Sequence, residues 1–491
     1  MFIGIDIGTS AVKLVAVDEA QRIVAGTEVK LAPVQPRPLW SEDDPDSWWA
    51  TVCLGLDQLA ASHPSVLAAV RGIGLSGQMH GAVLLDASGR PVRPAILWND
   101  GRAVAEASEL ADLGPELQGQ VGVLAMAGFT GPKIKWLSRH EPETLARTRH
   151  LLLPKDFVRL HLTGDYATDV SDAAGTWLLD EASRCWSSRA VAACGVDPEW
   201  LPPVLEASAQ AGTLRAELAL RWGMPAGIPV AAGGGDTAVG GVGIGAIDEG
   251  QGFISLGTSG QMFVAAETNH PDAANLVHGF CHAAPGRWYR MAALLNGGSP
   301  LAAAARWTGH GDIGALLSRV EASFRGPSDL LALPYLMGER TPLNDPYARG
   351  AIIGLTASTE PTDIVQAVME SVAFSLADGL AALGRDSMAD RAVGFIGGGS
   401  RSAFWGRIIA SVVGLTLEEY DAAERGPAFG AARLARAAAT GEPLHAIAIP
   451  PPVRRRIAPD SALQEAYRPR LAAFRDLYKA LKPEFRRALV S

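Results

Sequence analysis

Apolar, β-branched runs open the chain. Phe2–Ile7 and Ala11–Val17 are joined by the tight polar segment Gly8-Thr9-Ser10, and a third run follows at residues 23–31. Runs of this length, punctuated by glycine and polar residues, predict strands, and three in succession predict a β-meander. Farther along, residues 72–76 read as a strand, whereas residues 363–383 place apolar side chains at helical spacing and predict an amphipathic helix. Residues 392–396 read as a strand and 402–414 as a helix, with a further helix over 461–481. This alternation predicts an α/β architecture.

The pattern also echoes itself. Residues 227–252 are rich in glycine, alanine and valine, and Phe253-Ile254-Ser255-Leu256 then runs into Gly257-Thr258-Ser259-Gly260. This is the apolar-run-then-Gly-Thr-Ser pattern of the N-terminus, and the match at a strand end suggests two copies of one plan.

Composition narrows the class. The chain has 491 residues, too many for one ordinary core, so two large domains are expected, at residues 1–245 and 246–491. Hydrophobic residues make up 48% and charged residues 19%, a globular profile. A formal charge of −9 gives no electrostatic reason to expect nucleic acid or an anionic membrane as partner. Cys53, Cys185, Cys194 and Cys281 lack the spacing of a zinc site or a disulfide scaffold. Met1-Phe2-Ile3-Gly4-Ile5-Asp6 has no basic region of a signal peptide, and no uninterrupted apolar run reaches membrane-spanning length, so the expected location is cytoplasmic.

Several short motifs carry candidate chemistry. Asp6-Ile7-Gly8-Thr9-Ser10 puts a carboxylate at a strand end with a small hydroxyl-bearing turn beyond it. Such a turn can face phosphate, its carboxylate holding magnesium through water, or it can be a plain hairpin. Gly257-Thr258-Ser259-Gly260 could grip the same polyphosphate from the opposite side. Gly397-Gly398-Gly399-Ser400, between a strand and a helix, suits either close backbone approach to a ligand or a flexible turn.

In Gly233-Gly234-Gly235-Asp236-Thr237 one ionisable side chain stands among small ones. Asp236 can accept the proton of a substrate hydroxyl during phosphoryl transfer, cap the following helix, or do both. Gly77-Gln78-Met79-His80-Gly81 and Trp98-Asn99-Asp100-Gly101-Arg102 offer the amide, imidazole and aromatic partners that polyols use, and the second equally fits a turn. Arg454-Arg455-Arg456, after three prolines, reads as a solvated turn before a surface helix.

In order and spacing these segments, with Leu153-Pro154-Lys155-Asp156 and Ser171-Asp172-Ala173-Ala174-Gly175-Thr176, resemble the FGGY family of carbohydrate kinases, most nearly its members acting on D-xylulose. Gly128 to Leu137 is similar to the first signature of that family, and Gly350 to Leu355 with Ala367 to Glu370 to the second. The resemblance implies two actin-like, ribonuclease-H-like domains flanking a central cleft, the first holding sugar and the second nucleotide. It implies phosphorylation of D-xylulose at its 5-hydroxyl by ATP with Mg2+, Asp236 serving as general base and Met79 and His80 contacting the sugar. Asp6 would organise the metal. Thr9, Ser10, Gly257 and Thr258 would lie on the phosphates, and Gly398, Gly399 and Ser400 near the adenosine.

Thr237 stands where some relatives carry Asn, and residues 295–300 look variable, departures that bear on sugar preference. Dimerisation is common among such kinases, but no segment marks an interface. The alternatives are a family member for another sugar or polyol and an actin-like, ATP-gated binding module. Asp236 and Gln78-Met79-His80 speak against the module, which needs neither a base nor a polyol site.

Overall fold

The opening runs form the strands expected of them. In the computed structural model, which describes residues 1–388, 391–421 and 426–490, they are β1 (Phe2–Ile7), β2 (Ala11–Val17) and β3 (Ile23–Lys30). They pair antiparallel, with Asp6 opposite Lys13. On the other side of β1, β4 (Gly72–Gly77) runs parallel to it. The first sheet is completed by β5 (Gln210–Thr213), by β6 (Pro229–Ala231), antiparallel to β5 and parallel to β4, and by the short β7 (Gly234–Gly235), opposite Ser76 and Gly77 of β4.

The second sheet repeats this plan. Its strands are β8 (Gly252–Leu256), β9 (Gly260–Ala266), β10 (His278–Cys281), β11 (Trp288–Leu294), β12 (Val393–Ile396), β13 (Leu417–Tyr420) and β14 (Val453–Ile457), in the order β10-β11-β9-β8-β12-β13-β14. As in the first sheet, the central strand has an antiparallel hairpin partner on one side and a parallel strand on the other, and an antiparallel edge closes the parallel side. The Gly-Thr-Ser echo thus falls on equivalent turns, β1 to β2 and β8 to β9.

Five helices matter for the site. They are α1 (Asp236–Ile244), α2 (Pro361–Leu383), α3 (Ala403–Val413), α4 (Gly426–Thr440) and α5 (Ser461–Val490). α2 is the helix its spacing predicts, but every residue from Val365 to Ala377 is buried, its polar residues included. It is long and apolar enough to cross a membrane, but here it lies inside the protein, against β11 and α3. α5 likewise buries Tyr467, Phe474, Tyr478 and Phe485.

α4 belongs to the second half in sequence but packs on β1 and β4 of the first sheet. That approach requires glycine: a Cβ on Gly4 would stand 1.8 Å from the Ala428 carbonyl oxygen, and one on Gly74 1.9 Å from that of Ala431. α1, from the first half, packs on α4 and reaches the second half, where a Cβ on Gly241 would meet the Phe263 ring at 3.1 Å. One apolar cluster therefore runs continuously from Met79 through Val239 to Phe263 and Leu434, across the boundary expected at residue 245.

The arginine triplet corrects an expectation. Arg454, Arg455 and Arg456 lie in strand β14, not in a turn, because β13 presents Glu418 and Glu419 opposite them. Arg454 meets Glu419 at 3.2 Å and Arg456 pairs with Glu418, so the like charges are matched across the ladder.

Candidate active site

The site grows from the ends of β1, β4 and β7. Asp6 lies near the end of β1, between β2 and β4, and its Oδ1 has no hydrogen-bond partner among the described residues. Burial, reinforced by repulsion from Asp236, pushes its carboxyl up to about 7. Asp236 is the first residue of α1, directly after β7. Burial raises it to about 6, against the opposing hydrogen bond from Thr237 N to Oδ1 at 2.7 Å. Asp236 is not the helix cap, which is Gly235; its Oδ1 accepts from the next residue's N–H in the first turn. Oδ2 takes no protein hydrogen bond among the described residues and is free to accept a proton.

The loop after β4 brings Met79 against Gly235, the residue before Asp236, and His80 beside Met79 at Gly175. A Cβ on Gly235 would stand 2.8 Å from Met79 Sδ, and one on Gly175 2.6 Å from His80 Nδ1, so both glycines are required by the side chains that fill the space. His80 adopts φ of 68°, an unfavourable conformation for a non-glycine residue. Three contacts hold it there. Thr130 Oγ1 and Lys133 Nζ donate to its carbonyl at 3.1 and 2.8 Å, and Nδ1 bonds the Gly175 carbonyl. Since that carbonyl can only accept, Nδ1 carries the proton and Nε2 is left as an acceptor. Burial pulls the imidazole down to about 3, so it is neutral at physiological pH.

The first turn is tied to the same loop. Thr9 Oγ1 donates to Gln78 Oε1 at 3.1 Å and accepts from Trp98 Nε1 at 2.9 Å, so much of its hydrogen-bonding capacity fixes the turn in place. Ser10 is exposed beyond it. Asp100 and Arg102 are structural: they pair at 2.7 Å, Asp100 accepts from Ser41 N, and the guanidinium lies 3.7 Å from the Trp40 ring centroid.

Behind Asp236, Ser171 Oγ accepts from Gly235 N at 3.2 Å and donates to Asp169. Asp169 belongs to a fully buried cluster in which Lys155 meets Asp156 at 2.7 Å, Asp169 at 2.8 Å and Asp172 at 3.3 Å. Lys155 and Asp172 stood out in the sequence only as parts of motifs. Their shared role as a prop behind β7 depends on contacts between distant segments and had no local signal.

A second region opens on the β8 side. A cleft of 1190 Å³ is lined by Gly257, Thr258, Gly298, Ser299, Gly398 and Gly399, among others, and is large enough for a nucleotide. The Gly257 turn rests on residues 295–300: Gly298 N donates to Gly257 O at 2.6 Å, and Gly297 N and Ser299 N donate to Thr258 O. That segment therefore supports the turn beside the cleft.

Among the three glycines after β12, Gly398 faces open space, whereas a Cβ on Gly399 would meet the Leu256 side chain at 2.5 Å. Ser400 does not line the cleft; it is buried and its hydroxyl donates to Gly397 O at 2.8 Å. A separate 290 Å³ cavity joins Asp236 and Thr237 to Ser255, Gln261 and Gly397, linking the carboxylate to the second sheet.

Residues 1–243 match the N-terminal domain of the FGGY family of carbohydrate kinases, and residues 252–439 match its C-terminal domain. The chain belongs to the FGGY family of carbohydrate kinases. Its sequence is 43% identical over 484 residues to a xylulose kinase of Escherichia coli K12 and 42% identical over 484 residues to one of Klebsiella pneumoniae. Both alignments cover 98% of this chain and 99% of the relative. A crystal structure titled as a xyloylose kinase from Brucella ovis superposes with a TM-score of 0.95 at 41% identity, covering 98% of this chain and 99% of that one. As an FGGY kinase the protein phosphorylates a carbohydrate and takes the phosphoryl group from ATP. The first family signature acquires a physical role here, because its Thr130 and Lys133 clamp the strained backbone of His80.

Proposed function

We propose that this FGGY kinase transfers the γ-phosphoryl group of ATP to the 5-hydroxyl of D-xylulose in the cytoplasm. The observation that carries the reading is the packing of Met79 beside Gly235, directly before Asp236, with His80 next to Met79 at Gly175, in a chain similar along its full length to relatives named xylulose kinase. Asp236, with Oδ2 unengaged and its carboxyl at about 6, is ionised near neutrality but basic enough to take the hydroxyl proton as the phosphorus–oxygen bond forms. His80 Nε2 accepts from a sugar hydroxyl, and Met79 packs on the carbon chain.

Phosphoryl transfer depends chiefly on positioning and charge stabilisation. Backbone N–H groups at Thr9, Ser10, Gly257 and Thr258 hold the phosphates, and Gly398 and Gly399 border the adenosine, with Ser400 shaping their turn. Mg2+ supplies charge neutralisation on the β- and γ-phosphates. Asp6 suits it, being a buried carboxylate with an orphaned oxygen, for which an adjacent cation restores the ionised form. In this reading residues 1–245 are the sugar domain and 246–491 the nucleotide domain.

The test is ADP release with Mg2+ and ATP across D-xylulose, D-ribulose, L-ribulose, glycerol, D-arabitol and xylitol, for wild type beside Asp236→Ala. A D-xylulose-dependent rate that falls by about 10²–10⁴ in the variant is expected. Turnover of another of these acceptors but not of D-xylulose would reassign the sugar, and an Asp236→Ala rate near wild type would remove the base.

A further inference from the structure

Two side chains from the second half lie near His80 with no side-chain hydrogen-bond partner among the described residues. His278, on β10, is 2% exposed, and neither of its ring nitrogens has a hydrogen-bond partner among the described residues. It stands at the end of a row of rings: the His80 centroid lies 4.7 Å from that of Phe129, and Phe129 lies 6.0 Å from His278.

Arg340 is half-buried nearby, and its guanidinium donates no hydrogen bond and makes no ion pair among the described residues. The adjacent Glu339 does not satisfy it. That carboxylate accepts instead from Leu295 N at 2.6 Å, Arg340 N at 2.8 Å and Asn296 Nδ2 at 3.1 Å. The segment is held rigidly, since Thr341 N donates to Ala293 O and Thr341 Oγ1 to Leu276 O, two residues from His278.

A buried histidine left unsatisfied is costly unless a ligand completes it, and the half-buried guanidinium of Arg340 has donors to offer the same ligand. We propose that Arg340 and His278 close the sugar site from the second half, Arg340 gripping the oxygens at the end of the acceptor remote from the phosphorylated hydroxyl. The positive charge of Arg340 depresses both His80 and His278, in keeping with the anchoring of Thr341 to Leu276 beside β10. A polyhydroxylated ketose supplies both donors and acceptors there. A guanidinium fork can hold two such oxygens at once, and neutral His278 can either donate or accept. The second half would then read the sugar as well as the nucleotide.

This inference rests on the function proposed above, and the experiment separates the two. Initial rates are measured for wild type, Arg340→Gln, Arg340→Lys and His278→Phe, varying D-xylulose and ATP independently, with thermal melting as a check on folding. Arg340→Gln is expected to raise the sugar KM about 10- to 100-fold with the ATP KM and melting unchanged, and Arg340→Lys to recover part of that loss. His278→Phe, which keeps a ring but removes both nitrogens, should raise it about 3- to 10-fold. An unchanged sugar KM in folded Arg340→Gln overturns the inference, as does a loss falling on kcat and the ATP KM, which would put Arg340 on the phosphoryl group. If wild type does not use D-xylulose, the function fails first. The same variants are then run on the acceptor it does use, where an unchanged acceptor KM overturns the inference independently.

Discussion

The two sheets share a plan but treat their covering helices differently. On the first sheet, Gly4 and Gly74 are neighbours in register, and α4 lies so close that neither position has room for a methyl group. On the second, the corresponding register pair is Phe253 and Gly394, and the N-terminal end of α1 stands off, leaving the 290 Å³ cavity between Asp236 and Phe253. α1 and α4 are themselves in close contact, since a Cβ on Gly430 would stand 2.0 Å from the Val239 carbonyl oxygen. Asp236 is therefore fixed to the half that carries Met79 and His80, and the slack lies between Asp236 and the half that carries the larger cleft. The repeat also divides the chemistry, because the position of Asp6 in the first copy is Ser255 in the second.

If the close side is what fixes Asp236, crowding it should have the largest effect. Gly74→Ala drives a Cβ against the Ala431 backbone, which cannot yield as a flexible side chain can. We expect a loss of about 3–5 kcal/mol or failure to fold, read by chemical denaturation. A Gly74→Ala protein with wild-type stability would show that α4 can shift and that the contrast between the sheets is not one of rigidity.

The next prediction sharpens the chemical half of the comparison. Asp6→Asn should lower kcat by about 10²-fold or more, whereas Ser255→Ala, at the equivalent position, should cost less than about 10-fold. Stability should move the other way. The folded carboxyl of Asp6 titrates at about 7 and the unfolded one near the ordinary value of 3.8. Between these values the folded state holds a proton that the unfolded state has released, so stability falls as pH rises through that window. At pH 8, without nucleotide or metal, Asn removes this cost, and Asp6→Asn should gain about 1–3 kcal/mol, a gain that vanishes near pH 4. Equal melting temperatures at both pH values would show that Asp6 is not strained in the free protein.

Much of this arrangement could be read from the chain. The meander, the strand before His80 and the two Gly-Thr-Ser turns follow from local runs and turn chemistry, and they place Asp6, Thr9, Gly257 and Thr258 correctly at strand ends. The exchange of α1 and α4 could not be read, because nothing near Gly4 announces Ala428 more than 400 residues away. The arginine triplet misled for the same reason: its strand is made favourable by Glu418 and Glu419 across the ladder, and a run of like charge alone reads as solvated. The helical spacing of α2 is legible in the sequence, but its burial is not, because its polar residues find their partners inside the protein. Glu370 is buried, with partners in Ser328 N, Gln366 and Tyr467.

The smallest effect tests the open side. Gly240 lies within α1 and borders the cavity, and a Cβ there would meet only Pro427 Cγ, at 3.9 Å, an ordinary contact. Glycine in a helix interior costs backbone entropy that alanine does not. Gly240→Ala should therefore stabilise the protein by about 0.5–1 kcal/mol, the opposite sign to Gly74→Ala for the same added methyl group. Thermal melting without ligands reads the sign directly. Destabilisation would mean that α1 settles closer to Phe253 in solution, and the asymmetry between the two sheets would then be one of time-averaged position and not of packing.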